Sequence, residues 1–290
     1  MSNTLALIAG LVLLVVALLA GVYGRRQHRR RSLVTGTPTT ELRQLSEEGL
    51  VELKGTVTAE ETFESPIGGE DCVASVWEIE EWDERGDSEM WETRASGVTA
   101  APFALDDGTD DVRVDVGDHV RGEYDGRIEV SLPGVDVDRL LATGVSVDDV
   151  YCAFDRFPVE LSVPPDGDQP ERIERFVAGN ADVPGQRDSI TNVVDLGTKH
   201  GERRHYEQTI TPGQEVYLLG EASAVADATH PLGPDDVVVE PPSGDDPMIL
   251  SDQSEEELAS KLGRYRWAYA AAGVLGLAGI ALLAYGGFVA

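Results

Sequence analysis

The residues best suited to chemistry stand in the segment KHGERRHYE, residues 199–207. It places His200 and His205 beside Glu202 and Glu207, and imidazole and carboxylate groups together can bind a divalent metal ion. The spacing is not the HExxH pattern, in which two histidines one helical turn apart hold zinc. We therefore interpret the segment as a solvated turn leading into a strand, with the two histidines as weak metal candidates.

The chain has two cysteines, Cys72 and Cys152. A thiol activated by a distant histidine can act as a nucleophile. No cysteine-protease signature surrounds Cys72, however, and it lies in a strand pattern. A reduced, buried thiol that packs as a small apolar side chain is the favoured interpretation for both cysteines.

Motifs for other cofactors are missing from the sequence. The run DDGTDD, residues 106–111, lacks the spacing and the final glutamate of an EF-hand calcium loop. Neither a Walker phosphate loop nor a strand-linked GxGxxG occurs. We expect no catalytic residue, no cofactor and no bound metal.

Two long uncharged runs frame these residues. Leu5–Tyr23 has 19 residues and Trp267–Ala290 is slightly longer. A helix of 19 residues is about 28 Å long, close to the hydrocarbon thickness of a bilayer. We predict two transmembrane helices and expect them to pack together, because small residues recur four apart in both: Ala6, Gly10, Ala17, Gly21, Ala268, Ala272 and Gly276.

Basic residues flank both runs on the side of the central region. These topology-determining residues are Arg25, Arg26, Arg29, Arg30 and Arg31 after the first run, and Lys261, Arg264 and Arg266 before the second. Arginine and lysine stay on the cytoplasmic side of a membrane. The pattern predicts a multi-pass cell-membrane protein with a cytoplasmic central domain and both termini outside. A cleaved signal peptide, the alternative for the first run, would need its charge before the apolar segment.

The central region is strongly acidic. The formal net charge of the chain is −30, and residues 32–260 hold 15 basic against 53 acidic side chains. Such a surface repels itself unless molar salt screens it, which is typical of halophilic, archaeal proteomes. Nucleic-acid partners are excluded because phosphates need a basic face.

The remaining patterns predict a mainly β (α+β) domain with barrel-like antiparallel sheets and a few short helices. The expected strands are Val51–Val57, Cys72–Trp82, Trp91–Thr99, Pro102–Leu105, Asp111–Val116, Arg127–Leu132, Arg203–Ile210, Val216–Val225, Val237–Glu240 and Met248–Leu250. A helix capped by Thr39 or Thr40 is expected through Leu42 and Leu45, ended by Gly49, and further helices are expected at Asp138–Ala142, Pro170–Ala178 and Ser254–Leu262. The domains are then a transmembrane helix (1–24), a basic linker with a short helix (25–48), the acidic domain (49–260), and a basic flank with the second transmembrane helix (261–290).

The order of several segments resembles a known family. The segments are GTVTAEETFESPIGGEDCVASVWEIEE from Gly55, PFALDD from Pro102, GERRHYEQTITPGQEVYLLGEA from Gly201, and MILSDQSEEEL from Met248. This order is similar to the GIDE or BAM (beside-a-membrane) domain, the region between the two membrane spans of MULAN-type E3 ubiquitin ligases, which has prokaryotic relatives. The resemblance implies a structural role for Gly55, Ser65, Pro66, Gly68, Cys72, Trp77, Pro102, Phe103, Asp106, Gly201, Glu207, Pro212, Gly213, Gly220 and Ser251.

The resemblance does not extend to the ligase chemistry. Those ligases carry a RING domain, which binds two zinc ions through clustered cysteines and histidines, and two cysteines 80 positions apart cannot build one. The sequence therefore predicts a RING-less, membrane-anchored interaction or scaffold module. Its expected partners are the lipid bilayer and membrane-bound proteins or further copies of the chain. The alternatives are a component of a ubiquitin-like ligase system with a separate zinc or RING-type partner, and a membrane hydrolase or metal-binding protein.

Overall fold

The structure is a computed structural model that describes residues 3–59, 61–83, 90–122, 144–154, 157, 159–165, 167–186 and 199–288. The chain divides into a helical unit, Met1–Gly36 with Glu255–Ala290, and a β unit, Thr37–Ser254. The predicted strand Arg127–Leu132 and the predicted helix Asp138–Ala142 lie outside the described residues.

The helical unit is an antiparallel pair of two long helices from opposite ends of the chain, and we call this pair the helical hairpin. Helix α1 spans Asn3–Gly36, and α4 spans Tyr265–Phe288. Both are long and apolar enough to cross a membrane. The short helix α3, Glu255–Leu262, precedes α4 and is separated from it by a turn at residues 263–264.

Small residues form the contact between α1 and α4, as predicted. A Cβ atom added to Gly10 would lie 2.9 Å from the Gly279 carbonyl oxygen, so only glycine lets the backbones approach this closely. Farther along, Ala17 meets Gly276. Gly21 was predicted to share this stripe, but a Cβ atom added to it would meet no described atom within 4 Å outside its own helix.

The predicted linker is wrong in its first part. Helix α1 continues through the arginine cluster to Gly36, so its 34 residues give a length of about 51 Å. Arginine and glutamine are good helix formers, and the end of the apolar run is therefore not the end of the helix. After helix α1, a 3₁₀ turn at Leu42–Gln44 takes the place of the predicted short helix.

The β unit contains a closed barrel. Its strands are β1 (Gly49–Thr58), β6 (Phe103–Asp106), β7 (Asp111–Val114), β13 (Glu215–Ala224) and β14 (Val237–Glu240). Strand β1 closes the barrel because it pairs with both β6 and β13. The same sheet continues from β13 through β15 (Met248–Ser251), β10 (Val150–Ala153) and β9 (Val145–Val147).

A second, antiparallel sheet has five strands. In spatial order they are β11 (Val159–Val163), β12 (Arg203–Ile210), β4 (Ala74–Asp83), β5 (Met90–Ala100) and β8 (His119–Gly122). A small ribbon of β2 (Phe63–Glu64) and β3 (Asp71–Cys72) precedes β4, and helix α2 spans Glu171–Gly179. A second 3₁₀ turn spans Pro234–Asp236. The predicted barrel-like, mainly β fold is thus confirmed.

Strand β4 is buried on both faces. Val76 belongs to the core that fills the barrel, whereas Trp77 and Ile79 form a second core with Ile173 of α2. Strict alternation along the strand would put Val73 on the same face as Trp77, but Val73 lies in the barrel core. The chain bends at Val73 between β3 and β4, and this bend breaks the strict alternation.

Candidate functional site

The Glu207 carboxylate is fully buried and accepts four hydrogen bonds in the β unit. Its Oε1 accepts hydrogen bonds from the Ser75 hydroxyl (2.7 Å) and the Ile67 backbone N–H (3.1 Å). Its Oε2 accepts from the Ser65 hydroxyl (2.8 Å) and from the Gly68 backbone N–H. Four donors match the acceptor capacity of one carboxylate.

Two strands and a loop create this arrangement. Glu207 lies on β12 opposite Trp77 of β4. The loop between β2 and β3 folds over it as a turn in which the Ser65 backbone N–H donates to the Glu70 carbonyl (2.8 Å). The side chain of Ile67 enters the second core, so apolar burial and the carboxylate hold the same loop. We call residues 65–70 the capping loop.

Further contacts tie the capping loop to its surroundings. Arg172 of α2 donates through Nε to the Ile67 carbonyl (2.6 Å), and the Thr209 hydroxyl donates to the Glu70 carboxylate (2.6 Å). The arrangement fixes a loop, a strand and a helix together. It leaves Glu207 no open position for a substrate.

Cys72 is buried next to the capping loop. Burial raises the pKa of its thiol to about 12, and the negative charge of Glu207 adds to the rise. Burial also raises the pKa of the Cys152 thiol to about 12. Because the thiolate is the nucleophile, neither position suits nucleophilic catalysis, in agreement with the structural interpretation of both cysteines.

The histidine pair is not brought together as a metal site. His205 lies on β12 opposite Ile79, and its side chain is fully buried, so its assignment to a solvated turn is wrong. His200 lies in the preceding turn, with its Nδ1 3.5 Å from the Asp83 carboxylate. Over the described part of the chain, no group of three or more histidine, cysteine, aspartate or glutamate side chains is arranged to hold a metal ion.

Burial governs the chemistry of His205. It lowers the pKa of the imidazole to about 4, and the nearby charge of Arg203 lowers it further, while the Leu161 backbone opposes the shift. The ring therefore packs as a neutral group between strands.

A buried ion pair lies farther along the same two strands. The Arg203 guanidinium donates through Nε to the Glu81 carboxylate (2.8 Å), and both side chains are 1% exposed. Arg94 of β5 approaches the same carboxylate at 3.8 Å. Arg203 also donates to the Pro184 carbonyl (2.7 Å), which fixes the segment after α2.

The other motif residues serve the barrel and its turns. A Cβ atom on Gly55 would lie 2.5 Å from the Asp106 carbonyl oxygen, so glycine permits the close pairing of β1 and β6. The Ser251 hydroxyl donates to the Ala153 carbonyl (2.6 Å) between β15 and β10. The remaining members lie in turns or sheet contacts: Gly201, Pro212, Gly213 and Gly220.

An open groove lies at one edge of the barrel. Its volume is about 710 Å³, and Pro102 and Phe103 are among its lining residues. Asp111, Arg113 and Asp235 place charges of both signs along it. Most of the Phe103 side chain belongs to the barrel core, which agrees with the structural role implied for it.

The tryptophans divide between core packing and stacking. Trp82 and Trp91 face each other across β4 and β5 with ring centroids 5.3 Å apart. Trp77 does not join them. It contacts Phe176 of α2 edge-on, and their ring centroids are 4.8 Å apart.

Several important residues carry no signal in the sequence. Ser75, Glu81, Arg94 and Arg203 belong to strands whose polar members look solvent-facing. Glu52 is equally hidden: it is fully buried on β1 and accepts hydrogen bonds from Thr39 (2.6 Å) and Tyr217 (2.7 Å). The clue to their burial in the sequence is that these polar residues lie in strands with apolar side chains on both faces.

The two predicted topology clusters lie at one end of the helical hairpin. His28 of α1 stacks on Tyr265 of α4 with ring centroids 4.6 Å apart, and the Arg31 side chain donates to the Ala259 carbonyl (3.1 Å). The exposed arginines at this end are Arg25, Arg26, Arg29, Arg264 and Arg266, while Arg30, Arg31 and Lys261 are half-buried.

Comparison with known proteins leaves the chain without an assigned relative. No protein-family model matches it, and neither the curated proteins nor the solved structures contain a significant match.

Proposed function

We propose that the chain is a membrane-anchored interaction or scaffold module of the GIDE/BAM type, without catalysis of its own. The observation that carries this proposal is the helical hairpin. Two long helices pack through small residues and turn large apolar side chains outward, such as Leu11 (60% exposed) and Leu277 (72%). A soluble helical pair would bury such a surface, whereas lipid tails cover it at no cost.

The interior of the β unit supports a binding role. Its buried Glu207 carboxylate accepts four hydrogen bonds from internal donors, and its buried Glu52 carboxylate accepts hydrogen bonds from Thr39 and Tyr217. The thiol of Cys72 is protonated at neutral pH because of its raised pKa. These groups stabilise the fold, and recognition falls to the surface of the unit.

Membrane insertion and orientation can be tested on the full chain by thiol labelling. Thr4→Cys and Asp245→Cys introduce cysteines at exposed positions in the helical unit and the β unit. Under the proposal, a membrane-impermeant maleimide labels Thr4→Cys in intact cells and Asp245→Cys only after lysis. The unmodified chain is the control, since both native thiols are buried.

The opposite labelling pattern would overturn the proposed orientation. Release of the chain from membranes by a carbonate wash would overturn insertion itself.

Partner binding can be tested by photocrosslinking in native membranes. A photoreactive amino acid at exposed Asp111 should yield discrete adducts with other membrane proteins, and the same residue at buried Val112 should yield none. If a scan of the exposed strand positions of the β unit gives no protein adducts, a scaffold role is excluded.

A further inference from the structure

Four of the five exposed arginines at one end of the helical hairpin lie close to one level. Arg25 and Arg26 belong to α1, Arg264 lies in the turn before α4, and Arg266 lies in the first turn of α4. We call these four side chains the basic belt. The sequence separates its two halves by more than 230 residues, and the antiparallel pairing of the helices brings them to the same end.

Contacts inside the hairpin fix the level of the belt. A Cβ atom on Gly24 would lie 3.3 Å from the Ala268 Cβ, and His28 stacks on Tyr265. Arg25, Arg26 and Arg266 lie between these two contacts, and Arg264 follows directly. Four helical residues span about 6 Å along the axis, which is close to the depth of one headgroup layer, about 5–7 Å.

Aromatic side chains accompany the belt. Trp267 lies between the same two contacts as the belt arginines and is 78% exposed, whereas Tyr269 lies on the apolar side of the belt, beside Gly24, and is 41% exposed. Tryptophan and tyrosine are enriched where hydrocarbon meets headgroups, because their rings are apolar with one polar edge. Charges and aromatic rings therefore share one level of the helices, and aliphatic side chains follow.

We propose that the basic belt binds the phosphate groups of anionic phospholipids and enriches these lipids around the hairpin. The guanidinium fork suits phosphate oxygens, to which it donates two parallel hydrogen bonds. Two helices that present arginines at one level can hold headgroups from several sides. This inference rests on the proposed membrane anchoring and adds the class of lipid to it.

Trp267 supplies a local probe for the test. The full chain is reconstituted from detergent into phosphatidylcholine vesicles that contain a minor fraction of phosphatidylglycerol. Bromine is placed on the acyl chains of either the neutral or the anionic lipid, at equal mole fraction of brominated lipid. Bromine quenches indole fluorescence on contact. The part of the quenching that disappears in Trp267→Phe comes from Trp267, which lies beside the belt.

We expect the anionic brominated lipid to quench Trp267 several-fold more efficiently than the neutral one. Replacing all four belt arginines by glutamine should bring the ratio to one. The matched control removes four arginines from the β unit: Arg43, Arg113, Arg121 and Arg175. It should keep the preference.

Each other outcome is decisive. Equal quenching by both lipids in the unmodified chain overturns the lipid preference but leaves the anchoring intact. Absence of Trp267 quenching by either lipid overturns the anchoring itself. Loss of the preference in buffer containing inorganic phosphate would show that the belt binds free phosphate instead of a headgroup.

Discussion

Replacement of Glu207 by glutamine tests whether the buried carboxylate holds the capping loop. Glutamine has nearly the same shape, but only one of its two terminal atoms accepts hydrogen bonds. The hydroxyls of Ser65 and Ser75 can rotate and accept from the new amide, whereas the backbone N–H groups of Ile67 and Gly68 cannot. One backbone N–H therefore loses its partner.

The expected magnitude follows from that single lost bond. A hydrogen bond to a charged group contributes about 2 kcal/mol, and a buried donor left unsatisfied costs about 1 kcal/mol or more. We expect Glu207→Gln to lower the free energy of unfolding of the β unit by about 3 kcal/mol. Ser75→Ala removes one of the four donors and should cost about 1 kcal/mol.

The assay is urea unfolding of the full chain in detergent and molar salt, followed by near-ultraviolet circular dichroism. Glu215→Gln is the matched control, because it makes the same charge change at an exposed position of β13 and should shift stability by less than about 0.5 kcal/mol. Equal effects of Glu207→Gln and Glu215→Gln would refute the reasoning. So would strict additivity of Glu207→Gln with Ser75→Ala, since directly bonded residues couple.

Three further variants test other features of the fold. Gly97→Ala should destabilise the β unit by about 2 kcal/mol or more, because its Cβ would lie 2.3 Å from the Trp77 ring; urea unfolding measures this. Ala17→Cys with Gly276→Cys should form an intrachain disulfide on oxidation, seen on a non-reducing gel, since the Cβ separation of 3.8 Å suits one. The pKa of the His205 imidazole is about 4 in the folded chain and about 6.5 in the unfolded chain, so the unfolded chain binds a proton more readily. The free energy of unfolding should therefore fall by about 3 kcal/mol between pH 6.5 and pH 4. Unfolding measured across this range should lack this decrease in His205→Leu.

Each of these has a matched control. Gly244→Ala adds a Cβ atom where none is crowded, and Gly273→Cys introduces a cysteine whose Cβ atom meets no described neighbour within 4 Å outside its own helix. His230→Gln removes an exposed imidazole. If a control behaves like its test variant, the corresponding contact is not responsible for the effect. A pH dependence that survives His205→Leu would mean that other groups produce the acid sensitivity.

A strand that faces one core and solvent is predictable from the sequence because buried and exposed side chains alternate along it. The hairpin β6–β7 follows this rule. The turns after β6 and after β12 occur where glycine or proline predicts them. Gly213, for example, adopts φ +88°, which glycine tolerates best.

The buried charges could not be predicted for a reason that is equally physical. In a chain with 53 acidic side chains, nothing local distinguishes Glu207 from its exposed counterparts. Its burial depends on a loop about 140 positions earlier, whose backbone N–H groups point at it only in the folded state. The close contact of Gly97 with Trp77 is hidden for the same reason, because it depends on the register between β4 and β5.

The distribution of charge between the two units gives the proposed function its physical basis. An acidic surface suits a protein in concentrated salt, but it repels lipid phosphates. In this chain four exposed arginines cluster in the helical unit, at the end of the apolar segments, whereas Arg94 and Arg203 of the β unit are buried beside Glu81. The cluster that attracts phosphate is thus separated along the sequence from the acidic groups that maintain solubility. A chain organised in this way can keep an acidic domain in solution and hold its anchor in an anionic membrane at the same time.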